Sequence, residues 1–150
     1  MSSFVHEDAR GNEFNIHLNE NTGVVTLIVD SEDTYTQPKP IGIYDGSLAY
    51  PAMRSGFHSQ TETLVRFEIF INELLEQFRE GIIRNRHWEN EHIRIDYGYM
   101  GKGLVIKITS FDNFESVLVE EHELEDFLNT LLDWLDKTIK WCNDVQEGIL

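Results

Sequence analysis

Two histidines and two glutamates lie close together in the segment 87–92, and these residue types can bind metal ions. On a strand, His87 and His92 have opposite parity, so their side chains point to opposite faces. On a helix they are five residues apart, which misses the i, i+4 spacing of paired zinc ligands. We therefore expect neither a metal nor another cofactor here, and interpret the segment as the solvent-exposed entry to a strand.

The remaining residues with catalytic potential lack the surroundings that catalysis needs. The glycine-rich segment 98–103 is similar to a phosphate-binding loop, but no Ser or Thr follows Lys102 and no helix is predicted after it. It is typical of a hairpin turn instead. No Gly-x-Ser-x-Gly elbow surrounds a serine, and Cys142 falls on an apolar helical stripe, which indicates packing. No acidic residue lies in an apolar setting that would raise its pKa for acid catalysis. The sequence thus predicts a protein without catalytic residues, not an enzyme.

The charge balance favours a protein partner over other classes of ligand. The chain has 27 acidic and 12 basic residues, a net charge of −15 and a pI near 4.6. Such a chain is poorly suited to bind nucleic acid or an anionic membrane surface. It would attract a basic protein. The excess of acidic over basic residues is concentrated near the C-terminus. Residues 111–150 contain eleven acidic residues and only two basic ones, Lys137 and Lys140.

Size and cysteine content indicate one cytoplasmic domain. A chain of 150 residues suits a single domain, 1–150, and no linker composition divides it. We expect residues 1–12 to form a loose N-terminal arm. They show no signal-peptide pattern, and no apolar run is long enough to span a membrane. The lone Cys142 suits a reducing compartment.

Hydrophobic periodicity predicts an α+β fold. Alternation predicts a hairpin of strands 14–18 and 24–29, and further strands at 91–97, from 104 onward and at 116–120. Residues 62–67 are interpreted as a strand that leads into a helix over 69–81, which ends at Gly81. Residues 30–60 are interpreted as a long loop with a short strand near 41–44. The predicted fold is an antiparallel sheet of about five or six strands, with two helices packed on one face and a long C-terminal helix at 122–144.

The C-terminal helix carries the predicted partner-binding surface. Its apolar stripe alternates with acidic residues, and Trp134 and Trp141 lie seven residues apart on one line at the rim of the stripe. The tryptophans either seal the edge of the core or serve as an aromatic anchor beside an acidic rim, as in protein-binding hot spots. The predicted contact residues are Glu120, Glu121, Glu123, Glu125, Asp126, Asp133, Trp134 and Asp136.

The order of these parts resembles a known family over about residues 14–142. The matching features are an N-terminal hairpin, a loop with Gly56-Phe57, the segment Phe67…Phe70…Glu73-Leu74, Trp88 before two strands joined by a glycine turn, and Leu124…Phe127…Leu131. This pattern is similar to small immunity proteins of bacterial polymorphic-toxin and contact-dependent inhibition systems, in particular the WapI-like family. The resemblance implies a non-enzymatic protein that binds the toxin domain encoded beside it and occludes its active site. Such toxins are often nucleases with basic surfaces. The resemblance supplies no catalytic or contact residues.

Two other functions remain open from the sequence. The loop 35–60 could line a pocket for a small ligand or a substrate, since it contains Tyr35, Tyr44, Tyr50, Arg54, Phe57 and His58. A deep pocket beside the loop would favour that function. A structural subunit or adaptor would instead present a large apolar surface for self-association.

Overall fold

The described part of the chain forms an α+β structure with two sheets. The computed structural model describes residues 3–19, 24–30, 41–42, 54–89, 93–98, 103–108 and 116–146. In chain order the elements are β1 (Ser3–Glu7), β2 (Glu13–Asn19), β3 (Val24–Asp30), β4 (Ile41–Gly42), α1 (Arg54–Glu80), β5 (His87–Glu89), β6 (Ile93–Tyr97), β7 (Gly103–Ile108), β8 (Ser116–Glu120) and α2 (Glu121–Gln146). The α+β class and the long C-terminal helix are as predicted.

The described strands divide into two antiparallel sheets, in the orders β1-β2-β3-β4 and β5-β6-β7-β8. These residues therefore do not form the single sheet of about five or six strands that was predicted. Within each sheet, every strand pairs with its neighbour in the chain. The 27-residue helix α1 lies between the two groups in the chain, so each sheet is built from strands that are consecutive in the sequence.

The first sheet contains the predicted hairpin, in which β2 pairs with β3. Phe14, Ile16 and Leu18 of β2 are fully buried, as the alternation of apolar and polar residues indicated. The predicted loose arm, in contrast, is ordered over β1, which pairs with β2 and places Phe4 opposite Ile16. Phe4 belongs to the core, and its ring centroid lies 5.3 Å from that of Phe127. The two apolar residues of β1, Phe4 and Val5, are adjacent and do not alternate with polar residues, so the pattern is too weak to predict this strand.

The second sheet confirms the strands predicted on either side of the glycine-rich turn and adds β5. Ile95, Leu104 and Ile106 are fully buried on its core face. Trp88 of β5 is half-buried, and its ring stacks on that of Phe67 with centroids 4.9 Å apart. This aromatic contact packs the three-residue strand β5 against α1.

Helix α1 begins at Arg54, so the strand predicted at 62–67 is wrong. Two apolar patterns overlap in this segment, one with period two and one helical. The helical set is the buried one, since Leu64, Phe67 and Ile71 have no exposed surface. Ile69 belongs only to the period-two set and is 51% exposed. The stronger apolar stripe at a spacing of three and four therefore decides the conformation.

Gly81 ends α1, as predicted. Its φ is +78°, in the left-handed region that glycine adopts without strain. The Gly81 amide donates to the carbonyl of Phe78, and the Ile82 amide donates to that of Gln77, both at 3.1 Å. This pair of bonds is a Schellman motif, which satisfies carbonyl groups left open at the helix end.

The two helices pack side by side and run in opposite directions. Arg79 Nε at the end of α1 lies 2.6 Å from Glu125 Oε1 near the start of α2. Glu68 lies eleven residues before Arg79, and Asp136 lies eleven residues after Glu125. Burial raises the pKa of Glu68 above its ordinary value, and the negative charge of Asp136 raises it further. The helix pair thus holds two like charges close together at neutral pH.

We expect Glu68→Gln to stabilise the protein at pH 7, because it removes a partly buried charge that Asp136 repels. A raised pKa means that the folded state binds the proton more tightly, so stability is lost as pH rises through the ordinary and folded pKa of Glu68. The gain should be about 0.3–0.5 kcal/mol, as for like charges on a helix surface, or roughly 1–2 °C in Tm. It should vanish below about pH 4.

Thermal unfolding followed by circular dichroism at about pH 7 and about pH 3.5 tests this expectation. Glu76→Gln is the matched control, since Glu76 is an exposed residue of the same helix. Equal shifts in the two variants at neutral pH would contradict a specific repulsion between Glu68 and Asp136.

Candidate protein-binding surface

The start of α2 is positioned through β8, which passes into the helix without a connecting loop. The carboxylate of Asp8 holds this strand. It accepts the Leu118 amide of β8 at 3.1 Å, and the amides of Arg10 and Asn12 in its own turn at 2.9 and 3.0 Å. Burial alone would raise the pKa of Asp8, but the three amides and the Arg10 guanidinium together lower it below its ordinary value. Asp8 thus fastens the turn after β1 to the second sheet.

The same turn and His6 of β1 also bind the carbonyl groups of β8. The Ser116 carbonyl accepts Asn12 Nδ2 at 2.9 Å and Arg10 Nη2 at 3.2 Å. The Leu118 carbonyl accepts His6 Nε2 at 3.3 Å, and since a carbonyl only accepts, this ring nitrogen carries the proton. These side chains belong to residues 6–12, more than a hundred positions away in the chain. They fix the strand that leads into α2.

The first turn of α2 is closed by half of a capping box. The Glu123 side chain accepts the Glu120 amide at 3.1 Å, which satisfies an open donor at the helix start. Glu121 accepts the Tyr97 hydroxyl at 3.4 Å. Burial and the charge of Glu121 both raise the pKa of Tyr97. Acidic residues here also interact favourably with the positive end of the helix dipole.

Most of the predicted contact residues are accessible. Glu120 and Glu123 are half-buried, while the remaining five predicted carboxylates are exposed. These five lie on the solvent-facing half of α2 and are called the acidic face below: Glu121, Glu125, Asp126, Asp133 and Asp136.

Trp134 is not an exposed anchor. It is 6% exposed and belongs to the hydrophobic core, because it follows Leu131 by three residues and therefore lies on the core side of the helix. Trp141 is half-buried and packs against the same core. Of the two interpretations of the tryptophans, the packing role is the one that the structure supports.

Some of the acidic face is neutralised by nearby cations. Besides the pair between Glu125 and Arg79, Asp133 lies 2.9 Å from Lys137 Nζ. No described cation lies within ion-pair distance of Glu121, Asp126 or Asp136. Of the five carboxylates of the face, two are thus paired with a described cation and three are not.

A small cleft opens beside the start of the acidic face, between β1 and α2. Its volume is about 160 Å³, and it is lined by Phe4, Val5, His6, Glu123, Asp126, Phe127 and Thr130. His6 lies on the core side of β1, and its ring meets Phe127 edge to face at 5.1 Å. The sequence prediction missed His6, although its position two residues after Phe4 on a strand would have placed both on one face.

A second charged cluster lies on the outer face of the second sheet. His87 Nδ1 donates to Asp96 Oδ1 at 2.7 Å, and Arg94 Nε donates to the other oxygen at the same distance. Burial alone would raise the pKa of Asp96, but these two hydrogen bonds and charges lower it. The cluster links β5 to β6, where His87 and Asp96 are directly opposite. His92 lies outside the described residues, so its predicted separation from His87 stays a prediction.

The alternative site, a small-ligand pocket lined by the loop 35–60, falls largely outside the described residues. Of the loop 35–60, residues 35–40 and 43–53 are not described, and 41–42 form β4. Residues 54–60 are the start of α1 rather than a loop, so Arg54, Phe57 and His58 lie on a helix. A ligand pocket formed by the remainder stays a prediction.

Neither a metal cluster nor a membrane-spanning helix is found in the described part of the chain. Within those ranges, no group of three His, Cys, Asp or Glu residues could hold a metal ion. Neither described helix is long and apolar enough to cross a membrane. Comparison with known proteins found no matching family model, no similar curated protein and no similar solved structure.

Proposed function

We propose that this protein is a non-enzymatic inhibitor that binds a basic protein through the acidic face of α2. The observation that carries the proposal is the charge of this helix, where seven carboxylates accompany Lys137 and Lys140. A surface of one charge sign steers an oppositely charged partner toward it and raises the association rate. A rigid helix packed on the core also presents these groups at little cost in conformational entropy.

The partner in this proposal is a toxin domain, and the protein is its immunity protein. The support is the acidic face, together with the resemblance of the sequence pattern to WapI-like immunity proteins, from which Gly56-Phe57 departs because it lies on α1 and not in a loop. A nuclease is the favoured class of toxin, because a surface that binds phosphates is basic and would complement α2. Binding across that surface would occlude the active site. The inhibitor would then act in the cytoplasm, where it protects the cell that produces the toxin.

Growth rescue tests the proposal directly. The C-terminal domain of the protein encoded immediately upstream is expressed alone and together with this chain, and growth is scored. We expect toxicity that this chain relieves, and a purified complex whose Kd is nanomolar and weakens between about 50 and 300 mM salt. A domain that is not toxic, or that forms no complex with this chain, would contradict the proposal.

Charge reversal then locates the surface. The triple variant Glu121→Lys, Asp126→Lys and Asp136→Lys changes the three carboxylates without a described cation partner. We expect it to weaken toxin binding by about 100-fold or more, since close charge pairs across interfaces contribute roughly 1.5–7 kcal/mol each.

The control for charge reversal is the triple variant Glu7→Lys, Glu76→Lys and Glu80→Lys. It changes the net charge by the same amount at exposed positions outside α2. Comparable weakening in both triple variants at about 150 mM salt, where long-range attraction is largely screened, would mean that net charge, and not the acidic face, governs binding.

A further inference from the structure

We propose that the cleft between β1 and α2 receives an arginine side chain of the partner protein. This inference rests on the proposed function and adds to it the chemistry of one contact. The acidic face steers the partner, whereas the cleft would bind one defined group in a fixed position.

The size of the cleft favours a single side chain. Its volume of about 160 Å³ is well below the ~300–1,000 Å³ of pockets for drug-sized ligands. The buried rings of Phe4 and Phe127 form its apolar lining, and Val5, which is 51% exposed, lies at its rim. A long side chain with an apolar stem could pack along these groups.

The charges in the cleft select a cation. Glu123 and Asp126 are three residues apart on α2, so their side chains are neighbours on one face. Glu123 Oε1 accepts the Glu120 amide and lies 3.7 Å from His6 Nε2, a ring nitrogen that also donates to the Leu118 carbonyl. No lysine or arginine is among the described residues that line the cleft. Two carboxylates are thus left to bind an incoming positive charge.

Arginine suits this combination better than lysine. Its planar guanidinium presents several donors at once, which can bind both oxygens of a carboxylate or two carboxylates together. Its planar guanidinium can also stack on the face of an aromatic ring. A lysine ammonium is more strongly hydrated and would lose more on entering a half-apolar cleft.

Titration followed by NMR tests the inference with a defined probe. N-acetyl-arginine amide is added to the ¹⁵N-labelled full chain, with N-acetyl-citrulline amide as the neutral control of nearly the same shape. We expect shift changes confined to the amides around Val5, Glu123 and Thr130, a Kd of about 1–10 mM as for a fragment-sized ligand, and no saturable shifts with citrulline.

Three variants assign the binding to the cleft. The pair Glu123→Gln and Asp126→Asn removes both charges but keeps an acceptor for the Glu120 amide, and should weaken probe binding at least tenfold. Asp133→Asn with Asp136→Asn removes the same charge elsewhere on α2 and should leave it unchanged. Thr130→Arg places a cation of the chain itself at the cleft and should abolish probe binding while the protein stays folded.

Binding that is equal for arginine and citrulline, or that survives the loss of both cleft charges, would overturn the inference. If this chain inhibits the toxin but the probe does not bind in the cleft, the inference about the cleft is wrong and the proposed function stands. Specific probe binding without any growth rescue would support the cleft as a cation site and overturn the proposed function.

Discussion

Gly103→Ala should lower the free energy of unfolding by about 4 kcal/mol or more, which is among the largest effects that a single substitution has. Gly103 begins β7 with a φ of +124°, a conformation that other residues rarely adopt. A Cβ atom there would overlap the carbonyl oxygen of Val119 and lie 3.1 Å from the amide nitrogen of Glu121. Both are backbone atoms at the junction of β8 and α2, so they cannot move aside without displacing the helix.

Urea unfolding of purified protein measures this loss, and the soluble fraction on expression reports it if the variant does not fold. Gly98→Ala is the matched control. Gly98 also has a positive φ, of +86°, but the atom nearest to a Cβ at this position would be Arg86 Nη1, at 3.9 Å. Its alanine variant should lose only about 1–2 kcal/mol from backbone strain. Similar losses in the two variants would refute the close contact at Gly103.

Asp8→Ala should destabilise the protein by about 3 kcal/mol, or roughly 6–12 °C in Tm. The side chain of Asp8 is only 3% exposed and accepts three amide hydrogens. Truncation would leave those amides without their partner in a site that water enters poorly, which costs more than the net energy of the bonds themselves. Glu7→Ala, at the exposed neighbouring position, should change Tm by less than about 2 °C.

The contribution of Asp8 should depend on pH in a defined direction. Its pKa is lowered in the folded state, so its stabilising effect is present above the ordinary pKa and is lost as pH falls through the lowered one. Asp8→Asn keeps one acceptor oxygen but cannot ionise. We therefore expect the difference in Tm between the wild type and Asp8→Asn to be largest near about pH 7 and to shrink below about pH 4. A difference that is constant with pH would contradict the role of the charge.

The parts of the fold that could be predicted are those with a local pattern. The hairpin of β2 and β3 has clear alternation, and α2 has an apolar stripe along most of its length. The start of α1 was assigned wrongly because Phe67 and Ile71 fit both a strand and a helix, and only burial distinguishes the two. The separation into two sheets depends on which strands meet in space, and residue types within a strand do not specify its neighbours.

The candidate site, too, could be predicted only where a local sequence pattern exists. Spacing along α2 placed Asp126, Asp133 and Asp136 correctly on the exposed side. It left two roles open for Trp134, because a residue at the rim of a stripe is buried or exposed according to what packs beside it, and the structure supports the packing role. The cleft could not be predicted, since it joins His6 to Glu123 across most of the length of the chain.

The side chains that bind β8 have a further consequence for the behaviour of the protein at high concentration. β8 is the last strand of its sheet, and an uncovered last strand is a template for pairing with another molecule. Here the outward amide of Leu118 and the outward carbonyls of Ser116 and Leu118 are already bound by Asp8, Asn12 and His6. A foreign strand would have to displace a buried carboxylate to add at this edge. The turn after β1 and His6 therefore protect the β8 edge against strand addition, and opening of this turn would be the step that exposes the edge.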